Sequence, residues 1–452
     1  MKKVIKILCL ILSLVMVLSM AACGGDSGSN NGGTSNGGSS NQNTATGGNK
    51  TWEEIKATIP SDTKGKEIEV FSWNKVTDVT GAKDVVDKFQ KETGIKVNWV
   101  VGSYNEYSTK IASRVAAKDS PDVIRLMRID MGLLQVLQPL QNLNYDFTDA
   151  AWDKRILDFY TFDGKTYGAN LTNTLIQQPR ALIYNKNLVS KYDLEDPYSL
   201  WKQGNWNWDK FEELCRTFKE EVNDDTYLPW TSYQWADVGD AYGAGMIKRE
   251  GDRFVVNMDD PNLLKGWQRM CQLREEGITN NGRFDIANFE SGKILFFTES
   301  LISVRRTHFY WADLKAQGAL GAVPFPTMAG GTDATVWGEV EAYGIPEGAP
   351  NGNLAPYFLR YYLDADNYDK NTFFCDTTML DVHEALMKAE KMYVNYDCGL
   401  ITDDVGKGGI HINASVVNVK AAQVKSKLDS YASMVKAAVD NTNGILGKIK
   451  DE

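Results

Sequence analysis

The chain has 452 residues, 43% of them hydrophobic, and a formal net charge of −10. So much apolar material over such a length exceeds what one compact core holds, and two lobes are the expectation. The acidic balance, with no block of Lys or Arg to offset it, repels polyanions at long range and excludes nucleic acid from the partners expected of it.

Lys2, Lys3 and Lys6 precede an apolar run over 7–22 that ends Met20-Ala21-Ala22-Cys23. The run is shorter than the roughly 20 residues that span a bilayer comfortably, and small residues just before a cysteine suit a peptidase, so 1–22 reads as a secretory signal that is removed. It resembles bacterial lipoprotein signals. That resemblance implies acylation of the Cys23 thiol and a protein held by lipid on the extracytoplasmic face of the cell membrane. The alternative is an ordinary signal with an incidental cysteine. Residues 23–64 follow as a tether, of which 24–50 is almost entirely Gly, Ser, Asn and Thr. Nothing there repays the entropy of ordering, so it reads as a flexible leash with a reach on the order of 25–30 Å. A leash suits a protein that collects a solute for a membrane partner, and it suits a surface enzyme equally well.

Strand and helix then alternate. The pattern predicts a strand at 67–73 (EIEVFSW), a helix at 82–92 with Val85, Val86 and Phe89 on one face, and a strand at 96–101 (KVNWVV). Thr93-Gly94 marks the end of that helix. A second helix at 104–118 carries Tyr107, Ile111 and Val115 at four-residue spacing, and 122–127 (DVIRLM) reads as a third strand. In such a βαβαβ unit ligands bind beyond the carboxyl ends of the parallel strands, which singles out the loops at 72–75 and 128–130. Further on the spacing predicts a strand at 181–184, a turn at 185–190, helices at 209–221, 263–276 and 285–291, strands at 293–297, 321–324 and 339–345, and a mainly helical tail from 379.

Of six cysteines, Cys215, Cys271, Cys375 and Cys398 remain in the folded part, with no zinc spacing. Cys375 with Cys398 is the candidate disulfide, against four free and buried thiols. His308, His383 and His411 never pair at i, i+4, which gives a metal site or a catalytic triad little to draw on. Gly406-Lys407-Gly408 lacks the upstream glycine of a phosphate loop, and 364–370 (DADNYDK) lacks the glycine of a calcium loop. No cofactor and no metal are expected.

Four segments, in order, carry a further likeness: 116–123 (AAKDSPDV), 162–169 (FDGKTYGA), 181–188 (ALIYNKNL) followed by Trp208-Asp209-Lys210-Phe211, and 289–297 (FESGKILFF) with 321–326 (GAVPFP) downstream. Together they resemble the extracellular solute-binding proteins of ABC importers, in the branch that mostly binds carbohydrates. The resemblance implies an α/β, two-lobed periplasmic-binding-protein-like fold with an interlobe cleft and hinge crossings. One lobe would be 65–175 with 325–373 and the other 177–322 with 378–452, with crossings near 173–179, 323–326 and 372–378. It also implies a carbohydrate ligand and ABC permease subunits as partners, a delivery task that favours a monomer.

Sugars offer apolar C–H faces and rings of hydroxyls, so such a cleft needs flat aromatics and planar polar side chains. With 12 Trp and 20 Tyr the chain carries more aromatic rings than core packing requires. Trp73 and Asn74 end the first strand, and Arg128 and Asp130 follow the third; the last two read otherwise as a surface ion pair or helix cap. Tyr233 and Trp235 resemble the family's aromatic subsite, Glu299 follows the strand at 293–297, and Trp337 and Glu339 open the strand after the second crossing. Glu339 and Glu341 stand where the family favours small neutral residues, and as carboxylates they suit hydroxyl or amino groups rather than an acidic sugar. Gln177 and Gln178 read as a solvated hinge before they read as ligand contacts. Two other functions fit the chain: a binding protein for a peptide or another non-sugar solute, and a surface glycoside hydrolase using two of Asp130, Glu299, Glu339 and Glu341.

Overall fold

The computed structural model describes residues 48–127, 130–177, 179–231, 242–280, 285–326, 336–338, 340–389, 393–394, 396, 416 and 418–451. In chain order the elements that matter here are β1 (Glu67–Ser72), α1 (Ala82–Thr93), β2 (Lys96–Val101), α2 (Tyr107–Ala116), β3 (Val123–Leu126) and β4 (Arg180–Asn185). They continue with α3 (Trp208–Val222), β5 (Leu228–Thr231), β6 (Ile294–Ser300), β7 (Leu320–Pro324), β8 (Ala342–Gly344), α4 (Ala355–Tyr362) and α5 (Thr378–Lys388).

Two four-stranded sheets organise them. The first has the order β8-β3-β1-β2, with β1 parallel to both β2 and β3 and β8 antiparallel to β3. The βαβαβ unit read from the sequence is therefore present. Its first helix buries Val85, Val86 and Phe89 and stops at Gly94, whose φ of 74° is a left-handed turn that glycine adopts without strain. The second sheet has the order β7-β4-β6-β5, with β4 antiparallel to β6 and β7 and β5 parallel to β6. The chain passes from the first sheet to the second within 127–179, and returns within 325–341. After α4, which packs on α1, it crosses again to α5 beside β7.

Three differences from the sequence reading have local causes. β5 (LPWT) is short, wholly apolar but for its last residue, and contains Pro229; without alternation it gives no strand signal, and as an edge strand it tolerates the missing N–H. β6 runs on to Ser300, because Glu299 and Ser300 pair with Ala181 and Arg180. The aromatic surplus is also smaller than expected: Trp152, Trp206, Trp208, Trp230, Trp267 and Trp311 are all at most 2% exposed and build the cores. Cys215, Cys271 and Cys375 are free thiols, with Cys375 Sγ 3.5 Å from Met379 Sδ, so for these three the free-thiol alternative holds over the candidate disulfide; Cys398 lies outside the described residues. Among the described residues no helix is long and apolar enough to cross a membrane, and no cluster of three His, Cys, Asp or Glu could hold a metal ion.

Packing in the second sheet is tight enough to test at one glycine. Gly321 pairs directly with Tyr184 across β7 and β4, and a Cβ there would run into the phenol ring. That ring cannot swing away, because its hydroxyl donates to Asp196 Oδ1 at 2.7 Å. Gly321→Ala should therefore lower stability by about 1–3 kcal/mol. An unchanged melting temperature would show that the sheet absorbs the methyl group.

Candidate functional site

The carboxyl ends of β1 and β3 are fastened to each other by one phenol. Tyr107, at the start of α2, donates its hydroxyl to Phe71 O at 2.7 Å and accepts the Arg125 backbone N–H at 2.9 Å. Directly after β1, Trp73 is half-buried and meets Tyr107 edge-on at 4.7 Å and Tyr104 at 5.5 Å. Tyr104 itself is 43% exposed, so this aromatic corner opens to solvent. The guanidinium of Arg125 lies 4.4 Å from the centroid of Trp73. Asn74 is half-buried beside it. Its carbonyl accepts the Trp99 indole N–H at 2.8 Å and its Oδ1 accepts from Arg125 Nη1 at 2.7 Å, and no partner of its amide NH2 group is found among the described residues.

Arg125 is a charge inside a strand whose every residue is buried, and it is only 4% exposed. Its Nη2 donates to Glu341 Oε2 at 3.0 Å, and its Nε lies 2.6 Å from Glu341 Oε1 without hydrogen-bond alignment, so the contact is a close ion pair carrying one hydrogen bond. Burial works against the Arg125 charge, and Glu341 beside it holds the guanidinium protonated all the same. Burial likewise pushes the Glu341 carboxyl above its ordinary value, against the pull of Arg125 and Arg305. Tyr343 adds a hydroxyl to Glu341 Oε1 at 3.3 Å.

The backbone of Glu341 is held from the first crossing. Gln177 accepts the Glu341 N–H at 3.1 Å and donates its amide to the Glu341 carbonyl, which also takes Asn170 Nδ2 at 3.0 Å. Gln177 is 1% exposed, so the solvated hinge expected from the sequence is corrected: its amide stands in for a missing strand partner. Just upstream, Arg305 Nη2 donates to Leu175 O at 2.9 Å and Ile176 O at 3.2 Å, with the guanidinium over the Phe373 ring. His383, from α5, reaches Thr174 O through Nε2 at 2.9 Å. Burial lowers His383 to about 4, so it is neutral in the fold. The sign follows: the unfolded chain takes up that proton below about 6.5, and the stability His383 contributes is present above pH 6.5 and lost as pH falls towards about 4. The amount is on the order of 3 kcal/mol. His383→Gln should flatten the acid side of the urea midpoint between pH 7.5 and 4.5; equal slopes for the variant and the native chain would count against it.

The remaining expected residues divide. Asp130 caps the short helix Met131–Leu134, accepting the Leu133 N–H at 3.0 Å and the Ser108 hydroxyl, so of its two readings the structure displays the cap. Glu299 does not follow its strand; it lies within β6, 9% exposed, with Oε1 accepting the Ser300 N–H at 2.6 Å. Glu341, read as a carboxylate open to sugar, is spent on Arg125. Trp337 lies in the short strand Val336–Gly338, parallel to Tyr393–Val394. Cys23, Arg128, Gln178, Tyr233, Trp235 and Glu339 lie outside the described residues. The sequence reading missed Arg125 and Tyr104; a single arginine in the otherwise apolar run VIRL was the available signal.

The family described as bacterial extracellular solute-binding protein matches residues 73–369, more than half of the chain. Among curated proteins, the diacetylchitobiose binding protein DasA of Streptomyces coelicolor is 23% identical over 257 residues, covering 55% of this chain and 51% of that protein. A binding protein of Brucella abortus is 22% identical over 232 residues, covering 47% of this chain and 52% of its own length. The chain thus spans about half the length of the curated relatives it matches. Two solved structures share the fold over 84% of this chain. They are the galacto-N-biose/lacto-N-biose I-binding protein of an ABC transporter from Bifidobacterium longum (TM-score 0.60, 14% identity, 99% of that chain) and the GacH receptor of Streptomyces glaucescens, solved unliganded and with acarbose (TM-score 0.57, 16% identity, 98% of that chain). The fold is therefore the two-lobed, hinged α/β architecture of periplasmic binding proteins, and the chain belongs to the bacterial extracellular solute-binding protein family.

Proposed function

We propose that the protein is a lipid-tethered receptor that captures a carbohydrate, an oligosaccharide by preference, and delivers it unaltered to the permease subunits of an ABC importer. The observation that carries this reading is the corner at the end of β1, where a half-exposed indole, fixed by Arg125 and Tyr107, stands next to the Asn74 amide. A flat ring for C–H faces beside a planar donor for hydroxyls is the pairing a pyranose needs. Relatives whose names or structures involve diacetylchitobiose, lacto-N-biose and acarbose support it.

On this reading the lobes are 65–175 with 325–373 and 177–322 with 378–452. They close because ligand contacts from both are made together only in the shut form. Arg128, Tyr233, Trp235, Trp337 and Glu339 would add contacts, Cys23 would carry the lipid, and the receptor would work as a monomer outside the membrane. Hydrolysis is disfavoured because, of its four candidate carboxylates, Glu341 is spent on an ion pair, Asp130 on a helix cap and Glu299 on the Ser300 N–H within β6, and a hydrolase needs two.

The test is incubation with diacetylchitobiose, lacto-N-biose, acarbose and a set of neutral peptides. Saturable tryptophan fluorescence with one of the sugars, and its recovery intact at one equivalent, is the expected result. Turnover would replace the receptor by an enzyme, and saturation by peptides alone would replace the ligand class. Mass spectrometry of the mature N-terminal peptide tests the diacylglyceryl group on Cys23.

A further inference from the structure

Arg125 occupies a peculiar place: one planar group touches three structures at once. Its Nη2 and Nε face Glu341, its Nη1 holds Asn74 Oδ1 at 2.7 Å, and its Cζ lies over the Trp73 ring, 4.4 Å from the centroid. Glu341 is in turn fixed through its backbone by Gln177, in the first crossing, and by Asn170, just before it. A line of direct contacts therefore runs from the crossing to the corner: Gln177, Glu341, Arg125, then Trp73 and Asn74. A buried ion pair is weak evidence for stability, since apolar residues of similar volume often serve as well. Its retention here has a better account in orientation than in energy.

We infer that Glu341 and Arg125 are positioning residues, which set the tilt of the Trp73 ring and the aim of the Asn74 amide and so tie the ligand platform to the chain crossing. The inference rests on the carbohydrate-receptor reading, because it needs Trp73 to meet the ligand. Neither positioning residue is required to touch sugar: Glu341 is 1% and Arg125 4% exposed. What they supply is preorganisation, with the rotamers of Trp73 and Asn74 paid for before the ligand arrives.

Two variants separate orientation from stability. In Arg125→Met with Glu341→Met, the pair is replaced by apolar side chains of similar length, which keeps the interior filled and leaves no unpaired charge. In Arg125→Lys the charge facing Glu341 stays, but a lysine ammonium has no planar fork to span Glu341 and Asn74 together or to lie flat on an indole. Each is titrated with whichever of diacetylchitobiose, lacto-N-biose and acarbose saturates the native chain, alongside Trp73→Ala. The expected result is a melting temperature near native for the Met pair and a loss of about tenfold in affinity for both variants. Adding Asn74→Ala to either should cost little more, since Asn74 has already lost its holder. The near-ultraviolet circular dichroism of Trp73, isolated as native minus Trp73→Phe, should collapse in both, a signature that a purely structural pair would leave alone once stability is restored. Arg125→Lys supplies the answer if the Met pair does not fold. Native affinity in the variants, with Trp73→Ala still weakened, overturns the positioning role and leaves the site standing. Native affinity in Trp73→Ala removes the platform itself, and the inference with it.

Discussion

Trp73→Ala is expected to weaken glycan binding by about 2 kcal/mol or more, on the order of thirtyfold, with little change in folding stability. The ring is already held on its flanks by Tyr104, Tyr107 and Arg125, so a sugar that stacks on it orders nothing further. Trp73 is half-buried, and its loss opens a dent at the rim instead of a cavity in a core. Trp73→Phe should retain part of the affinity, as a smaller flat surface does. Isothermal titration of the three proteins decides the matter, and superimposable isotherms for native chain and alanine variant would move the ligand elsewhere.

The largest expected effect on stability comes from breaking the buried pair on one side only. Arg125→Ala leaves the Glu341 carboxylate buried without its cation and should cost about 3–5 kcal/mol. The deficit has a predictable pH slope. With the Glu341 carboxyl already pushed upwards by burial and its cation gone, the folded variant keeps a proton that the unfolded chain releases above about 4.5. Stability of the variant therefore falls further, relative to the native chain, as pH rises from the carboxylate range towards neutrality. Lys83→Ala is the control. Its pair with Asp87 spans 2.5 Å but both side chains are more than half exposed to screening water, and its loss should leave the urea midpoint nearly unchanged. Similar urea midpoints for Arg125→Ala and Lys83→Ala would contradict this account.

Short-range pattern carried most of the first sheet. β1, α1 and β2 could be read because each alternates or repeats over its own length and because Gly94 ends the helix with a conformation few other residues accept. The corner at Trp73 followed from the same logic, since parallel strands direct their loops beyond their carboxyl ends. Contacts between distant segments were out of reach. Arg125 and Glu341 are 216 positions apart, and nothing near either residue names the other. Gln177 looked like a polar residue in a loop, yet it is enclosed because its amide completes the hydrogen bonding of Glu341, 164 positions on. The place of Glu299 was hidden for a related reason: Thr298, Glu299 and Ser300 resemble a strand's polar exit, and only pairing with Leu182, Ala181 and Arg180 keeps them in the sheet.

The stretch from Thr174 to Gln177 is gripped by His383, Arg305 and the backbone of Glu341, so it behaves as a splint and not as a joint. A ligand-driven swing in this molecule would carry that stiff bar as one piece, and hydrogen exchange would find it protected.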